Sequence, residues 1–139
     1  MIILDTNVVS EAMRAQPAPA VLTWLGAQAS WDLFTTSITR AEVFLGVERL
    51  PEGVRRRRLA DAARIVFDRD FRDRVLPFDD DAAAHYASIS AARERLGRRI
   101  AQLDAQIAAI ARLRGASLAT RDVGDFRDCG IEVIDPWSA

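Results

Sequence analysis

Five runs of only three or four residues are suited to strands and too short for helices: Ile2–Leu4, Asp32–Thr35, Val75–Phe78, Ser117–Ala119 and Glu132–Ile134. The segments between them are long and carry helical spacing or helix start signals. That alternation constrains the fold more than any other feature. Strands joined by helical crossovers pair in parallel, and a parallel sheet has to be covered on both faces. The expected fold is therefore α/β, a three-layer α/β/α sandwich around a central parallel sheet, with residues 1–139 forming a single domain. In such sheets ligands gather beyond the carboxyl ends of the strands.

The helices can be placed from their punctuation. A helical stretch follows a turn at Asn7, and Pro17–Ala27 carries Pro near its first turn. Ser37 or Thr39 opens a helix through Arg49, with Ile38, Ala41, Phe44 and Leu45 on one face. Val54–Phe67 is helical, and the run Asp79, Asp80, Asp81 starts a helix that ends at Gly97. Acids at that start suit the macrodipole, so these three are read as structural. Ala101–Arg114 forms a helix closed by Gly115.

Composition narrows the function classes. Half of the residues are apolar and 28% are charged, and no segment approaches the ~20 apolar residues of a membrane span. Cys129 is the only cysteine, and Met1 leads straight into an apolar run without a basic leader. A cytoplasmic protein without a disulfide framework is expected. All 19 basic residues are Arg, against 20 carboxylates. The signs are unevenly spread: Arg93–Arg114 holds six Arg and two acids, whereas Val123–Ala139 holds one Arg and four acids. A near-neutral chain of this kind can present a basic rim around an acidic centre.

Five acids occupy positions that local structure explains incompletely. Asp5 follows the first strand without a gap. Asp104 projects from an apolar stripe, its helical neighbours being Ile100, Ala101, Ile107, Ala108 and Ala111, and an isolated buried carboxylate is costly. A helix starting at Asp104, with the acid as N-cap, is the alternative. Glu42 follows the second strand in a helix's first turn, where Thr39-Arg40-Ala41-Glu42 also has the spacing of a capping box. Asp122 and Asp125, three residues apart after the fourth strand, fit either one face of a helical turn or a solvated cap. A parallel sheet places all five along one edge. Together they repel by several kcal/mol at low effective dielectric, so a divalent cation makes sense of them. All-oxygen ligands point to Mg²⁺ or Mn²⁺, whereas a lone His85 and a lone Cys129 give zinc no ligand set.

Four stretches, LDTNVVSE, TTSITRAEVFLGV, LDAQIAAIAR and LATRDVGDF followed by GIEVIDPW, occur in that order over essentially the whole length. In this the chain resembles the PIN domain, specifically a VapC-type toxin ribonuclease of a type II toxin-antitoxin pair. The resemblance implies Mg²⁺-dependent hydrolysis of RNA phosphodiester bonds, with Asp5, Glu42, Asp104 and Asp122 matching the family's acidic set and Asp125 a fifth member. Asp122 departs mildly, since Asn is common there in relatives. Thr6, Asn7 and Thr120 match small polar residues that support the site; ordinary turn and cap chemistry is the other reading. Arg40, Arg98, Arg99 and Arg121 are candidates for holding phosphates, while the Arg55–Arg58 run is spread around a helix and reads as an exposed face.

The resemblance also implies a homodimer, silenced within a hetero-oligomer by a small DNA-binding antitoxin. Trp24, Trp31 and Phe44–Val47 are candidates for docking surface or core. Among rivals, a receiver domain needs a Lys that this chain lacks, and a haloacid-dehalogenase-like phosphatase needs a second Asp where Asn7 stands. A catalytically silent nucleic-acid- or protein-binding module is the alternative from another class.

Overall fold

The computed structural model describes residues 1–139. Five parallel strands form one sheet in the order β3-β2-β1-β4-β5: β1 Ile2–Leu4, β2 Leu33–Thr36, β3 Val75–Leu76, β4 Ser117–Ala119 and β5 Val133–Ile134. Six helices cover it: α1 Thr6–Ala12, α2 Pro19–Ala27, α3 Ser37–Glu48, α4 Val54–Arg64, α5 Asp80–Arg95 and α6 Gln102–Arg114. The expected α/β/α sandwich is the fold. No helix is long and apolar enough to cross a membrane.

The two cores follow from the pleat. Ile3 and Leu118, paired in register, face one side and pack with Ile89 of α5 and Ile107 and Ile110 of α6. Leu4 and Ala119, one residue on, face the other side among Val8, Val21, Val43 and Phe67. Because successive strand residues point to opposite faces, three-residue strands suffice to root both layers. The chain builds outward from β1 to β2 and β3, then returns to β4 and β5 on the other side. The order therefore reverses at β1, and its carboxyl end is the switch point at which such sheets bind ligands.

Several boundaries move for identifiable reasons. No separate turn intervenes at Asn7, because Asp5 caps α1 directly and the helix starts at Thr6. α2 begins at Pro19, not Pro17, with Pro in its first turn. Past Arg64, α4 widens into a π-helical stretch, Ile65–Asp70, so the helical segment runs beyond Phe67. Asp79 caps α5 through a 3.0 Å bond from the Ala82 amide, as its dipole reading requires. Gly115 closes α6 at φ 60°.

The start of α3 corrects the capping-box spacing. The N-cap is Thr36, whose hydroxyl accepts from the Thr39 amide at 3.0 Å, so Thr39 already lies inside the helix and does not cap it with Glu42. Thr36 is fully buried. Thr36→Val keeps the side chain's shape but leaves that amide without its partner, and a loss of about 1–2 kcal/mol in chemical denaturation is expected.

Candidate active site

Asp5 is the fixed point of the site. It is 5% exposed, and each carboxylate oxygen has a donor: the Thr6 amide at 2.8 Å and the Thr120 hydroxyl at 2.7 Å. Those bonds tie the end of β1 to the start of α1 and to the residue after β4. Burial nevertheless dominates and raises the Asp5 pKa above the usual carboxylate range, with Glu42 and Asp122 adding repulsion.

Each threonine then reaches a second acid. The Thr6 hydroxyl donates to Glu42 Oε1 at 2.8 Å and lies 3.2 Å from the buried hydroxyl of Thr39. Thr120 Oγ1 accepts from the Asp122 amide at 3.1 Å and from Asn7 Nδ2 at 3.2 Å. Asn7 Nδ2 also donates to Asp122 Oδ2 at 3.1 Å, and Asn7 Oδ1 accepts from the Arg121 amide at 3.3 Å. Thr6, Asn7 and Thr120 thus connect Asp5 with Glu42 on one side and Asp122 on the other.

Asp104 arrives from the opposite layer. α6 begins at Gln102 with Ala101 at the N-cap, so the reading of Asp104 as a cap is wrong; it occupies the first turn, half-buried, above the buried stripe of Ile107, Ala108 and Ala111. Burial raises its pKa to about 6, reinforced by repulsion from Asp5, Asp125, Glu42 and Asp122. Asp104 is thus near enough to the other four acids to feel their charge. Asp125 sits in a 3₁₀ turn, Val123–Phe126, that starts after Asp122, and both side chains are solvent-exposed.

The donor set is oxygen alone, which suits a hard cation of the Mg²⁺ or Mn²⁺ kind. No three of the acids are drawn in to the spacing of a preformed metal cage. Mg²⁺ does not require one, because it keeps several waters and takes only one or two carboxylates directly. Acids whose repulsion and burial disfavour ionisation are also those that a cation would relieve, so the residues present fit such an ion.

The arginines divide. Arg40 pairs with Asp68 at 3.0 Å and stacks against Phe44 and Phe67, and Arg98 pairs with Asp128 at 2.6 Å. Both are engaged within the chain, whereas Arg99 is exposed and without an ion pair, and Arg121 is exposed and lies over Trp137. Within the Arg55–Arg58 run only Arg56 is half-buried, paired with Glu48. Trp31 is 74% exposed, whereas Trp24 and Phe44 pack against the core, Val47 is buried and Leu45 is exposed.

One residue of the site's framework escaped the sequence reading. Arg93 is 5% exposed and has no carboxylate partner. Its Nε donates to the Arg98 carbonyl at 2.7 Å, and its Nη1 donates to those of Asp125 and Arg127 at 2.8 and 2.9 Å. It therefore clamps the turn carrying Asp125 to the connection leading into α6 and Asp104. The available signal was its place on the Ala82, Tyr86, Ile89 stripe of α5, a charge in an apolar row like Asp104.

Comparison with known proteins points one way. The profile of the family described as PIN domain matches residues 2–131. The VapC ribonuclease Y4jK of Sinorhizobium fredii is 40% identical over 99% of this chain and 98% of that protein. The toxin FitB of Neisseria gonorrhoeae is 39% identical over 99% of each. Among solved structures, a chain of FitAB bound to an IR36 DNA fragment superimposes with a TM-score of 0.92 at 39% identity, covering 99% of this chain and 96% of that one.

Two outcomes follow from the geometry. A raised carboxyl pKa means that the folded state binds the proton more tightly, so between the ordinary value of 3.8 and about 6 stability falls as pH rises. In metal-free buffer the protein should be more stable at pH 5 than at pH 7, and Asp104→Asn should flatten that slope while adding about 1 kcal/mol at pH 7, a figure reduced for partial exposure. Thermal unfolding against pH measures both. Arg93→Met leaves three carbonyls without their donor and should cost ~3 kcal/mol in denaturation.

Proposed function

This chain belongs to the PIN-domain family, and we propose that it is the toxin of a type II toxin-antitoxin pair, a divalent-cation-dependent endoribonuclease acting as a single domain in the cytoplasm. The observation that carries the reading is the hydrogen-bonded linkage of Asp5, Glu42 and Asp122 through Thr6, Asn7 and Thr120 at the switch point of the sheet, with Asp104 and Asp125 adding to the negative charge there. Relatives at about 40% identity named as a VapC ribonuclease and a toxin support the nuclease activity and the toxin role. A DNA-bound FitAB complex among the structural neighbours supports silencing by a small DNA-binding antitoxin. A homodimer within that hetero-oligomer is part of the same proposal.

Asp5 and Asp104 would hold the ion, with Glu42 and Asp122 directed at its water shell or a second ion and Asp125 flanking them. Bound there, Mg²⁺ or Mn²⁺ supplies Lewis acidity toward the phosphate and lowers the pKa of a coordinated water. The chain's own residues do the rest. Thr120 and the Thr6 amide fix both oxygens of Asp5, so its orientation needs no rearrangement when substrate arrives. Thr6 holds Glu42 by Oε1 only, which leaves Oε2 free to accept a proton from the attacking water. Asn7 and the Thr120 hydroxyl hold Asp122 by its side chain and amide. Arg121 and Arg99 receive the phosphates on either side of the scissile bond.

The alternative of a catalytically silent binding module leaves the five acids without a purpose for their mutual repulsion. Titration with Mg²⁺ or Mn²⁺ followed by cleavage of an unstructured RNA separates the two readings. Asp5→Asn and Asp104→Asn should each lower cleavage at least a hundredfold, with circular dichroism unchanged and stability equal or higher. Undiminished cleavage by both purified variants would refute the reading.

A further inference from the structure

Beside the acids, α1, α3 and α4 enclose a trough of about 310 Å³ that the mechanism above does not use. Thr6 and Glu42 form one end of it, so it opens directly onto the candidate centre. Its lining runs from Thr6 through α1 to Arg14 just beyond it, and from Glu42 through α3 to Leu50 just beyond it. The seven helical residues on each side make it about 10 Å long, running outward from the acids. Met13, Val43, Val47 and Leu59 give it an aliphatic floor, and Arg14 and Arg55 stand at the end away from Glu42.

Gly46 lines the trough from α3. It lies inside α3, where glycine costs about 1 kcal/mol relative to alanine, and a Cβ built on it meets nothing within 4 Å. Packing within the chain therefore gives no reason for glycine. Gly46 is exposed and lines the trough between Val43 and Val47, where any side chain would take up space.

Charge selects the occupant. The trough passes from an acidic end, where a cation would seat the scissile phosphate, to two guanidiniums. Arg55 pairs with no carboxylate, whereas Arg14 is exposed and pairs with Glu11 only at 3.6 Å, longer than the Arg40 and Arg98 pairs. A single nucleic-acid strand leaving the centre carries its next charge as a phosphate, which suits a guanidinium fork. Between the two phosphates lies a base, whose apolar faces suit the aliphatic floor and the Met13 thioether. We infer that this trough is an RNA subsite: it takes the nucleotide flanking the scissile bond, base over Gly46 and outer phosphate on Arg14 and Arg55. The inference rests on the ribonuclease reading and adds to it a determinant of which sequences are cut.

The test uses the full chain in EDTA, where binding is read without cleavage. A short, unstructured, fluorescein-labelled RNA is titrated against wild type, Gly46→Leu and Arg55→Gln by fluorescence anisotropy. Gly46→Leu should weaken binding at least tenfold without lowering the thermal midpoint, since leucine is the better helix former. Arg55→Gln, an exposed change, should weaken binding severalfold and reduce its salt dependence by about one ion. Wild-type affinity in both variants overturns the inference. So does an RNA affinity that survives while affinity for the antitoxin protein falls, which would make the trough a peptide site. If Gly46→Leu does not fold, Arg55→Gln and Arg14→Gln decide alone. A wild type that binds RNA through the trough yet never cleaves it with Mg²⁺ or Mn²⁺ would sink the ribonuclease reading and leave the subsite standing.

Discussion

The structure is organised around the cost of holding Asp5 as a buried carboxylate at the end of the central strand. Its burial and its acidic neighbours oppose ionisation, and two hydrogen bonds only partly offset them. The fold meets that cost with donors that are themselves fully buried or fixed by backbone. Thr120 is fully buried and directs its one proton to Asp5 while accepting from Asn7 and the Asp122 amide. Because β1 lies between β2 and β4, elements from both halves of the sheet can reach that carboxylate. α3, following β2, brings Glu42, and the segment after β4 brings Asp122.

What the sequence discloses depends on whether the relevant physics is local. Strands were legible to within a residue or two because an apolar run bounded by helix signals has few other solutions. The partial burial of Asp104 was legible because a charge in a helical apolar stripe is carried toward the layer that the stripe packs on, wherever the helix lies. The capping of α3 was less so, since Thr36 and Thr39 are both competent caps and the choice between them is made by where β2 stops. The engagement of Arg40 with Asp68 and of Arg98 with Asp128 joins residues 28 and 30 positions apart, and nothing local in the chain announces such pairs.

The absence of Lys gains a structural meaning in three dimensions. Arg74 donates from Nη1 and Nη2 to the main-chain carbonyls of Ser30, Leu33 and Asp70, binding the start of β2 to the segment before β3. Arg93 does the same between two other segments. A planar guanidinium has five donors in fixed directions and bridges several carbonyls at once; a lysine ammonium is a compact charge that cannot span them. Arginine here is framework as well as rim. That is why a count of basic residues overstates the positive charge available to a polyanion.

Arg93 also bears on how the acidic centre keeps its dimensions. Asp104 stands on a helix whose entry is fixed by the connection from α5, and Asp125 stands on a turn with no regular partner of its own. Mutual repulsion of the two carboxylates pushes these segments apart. One buried guanidinium holds the carbonyls of both, and the Arg98–Asp128 ion pair crosses between the same segments at the surface. The exposed pair is screened and weak, whereas the buried clamp is neither. The spacing of Asp104 and Asp125 is therefore set by backbone carbonyls gathered on a cation outside the site, which leaves these two carboxylates, unlike Asp5, Glu42 and Asp122, without side-chain hydrogen bonds or ion pairs inside the chain.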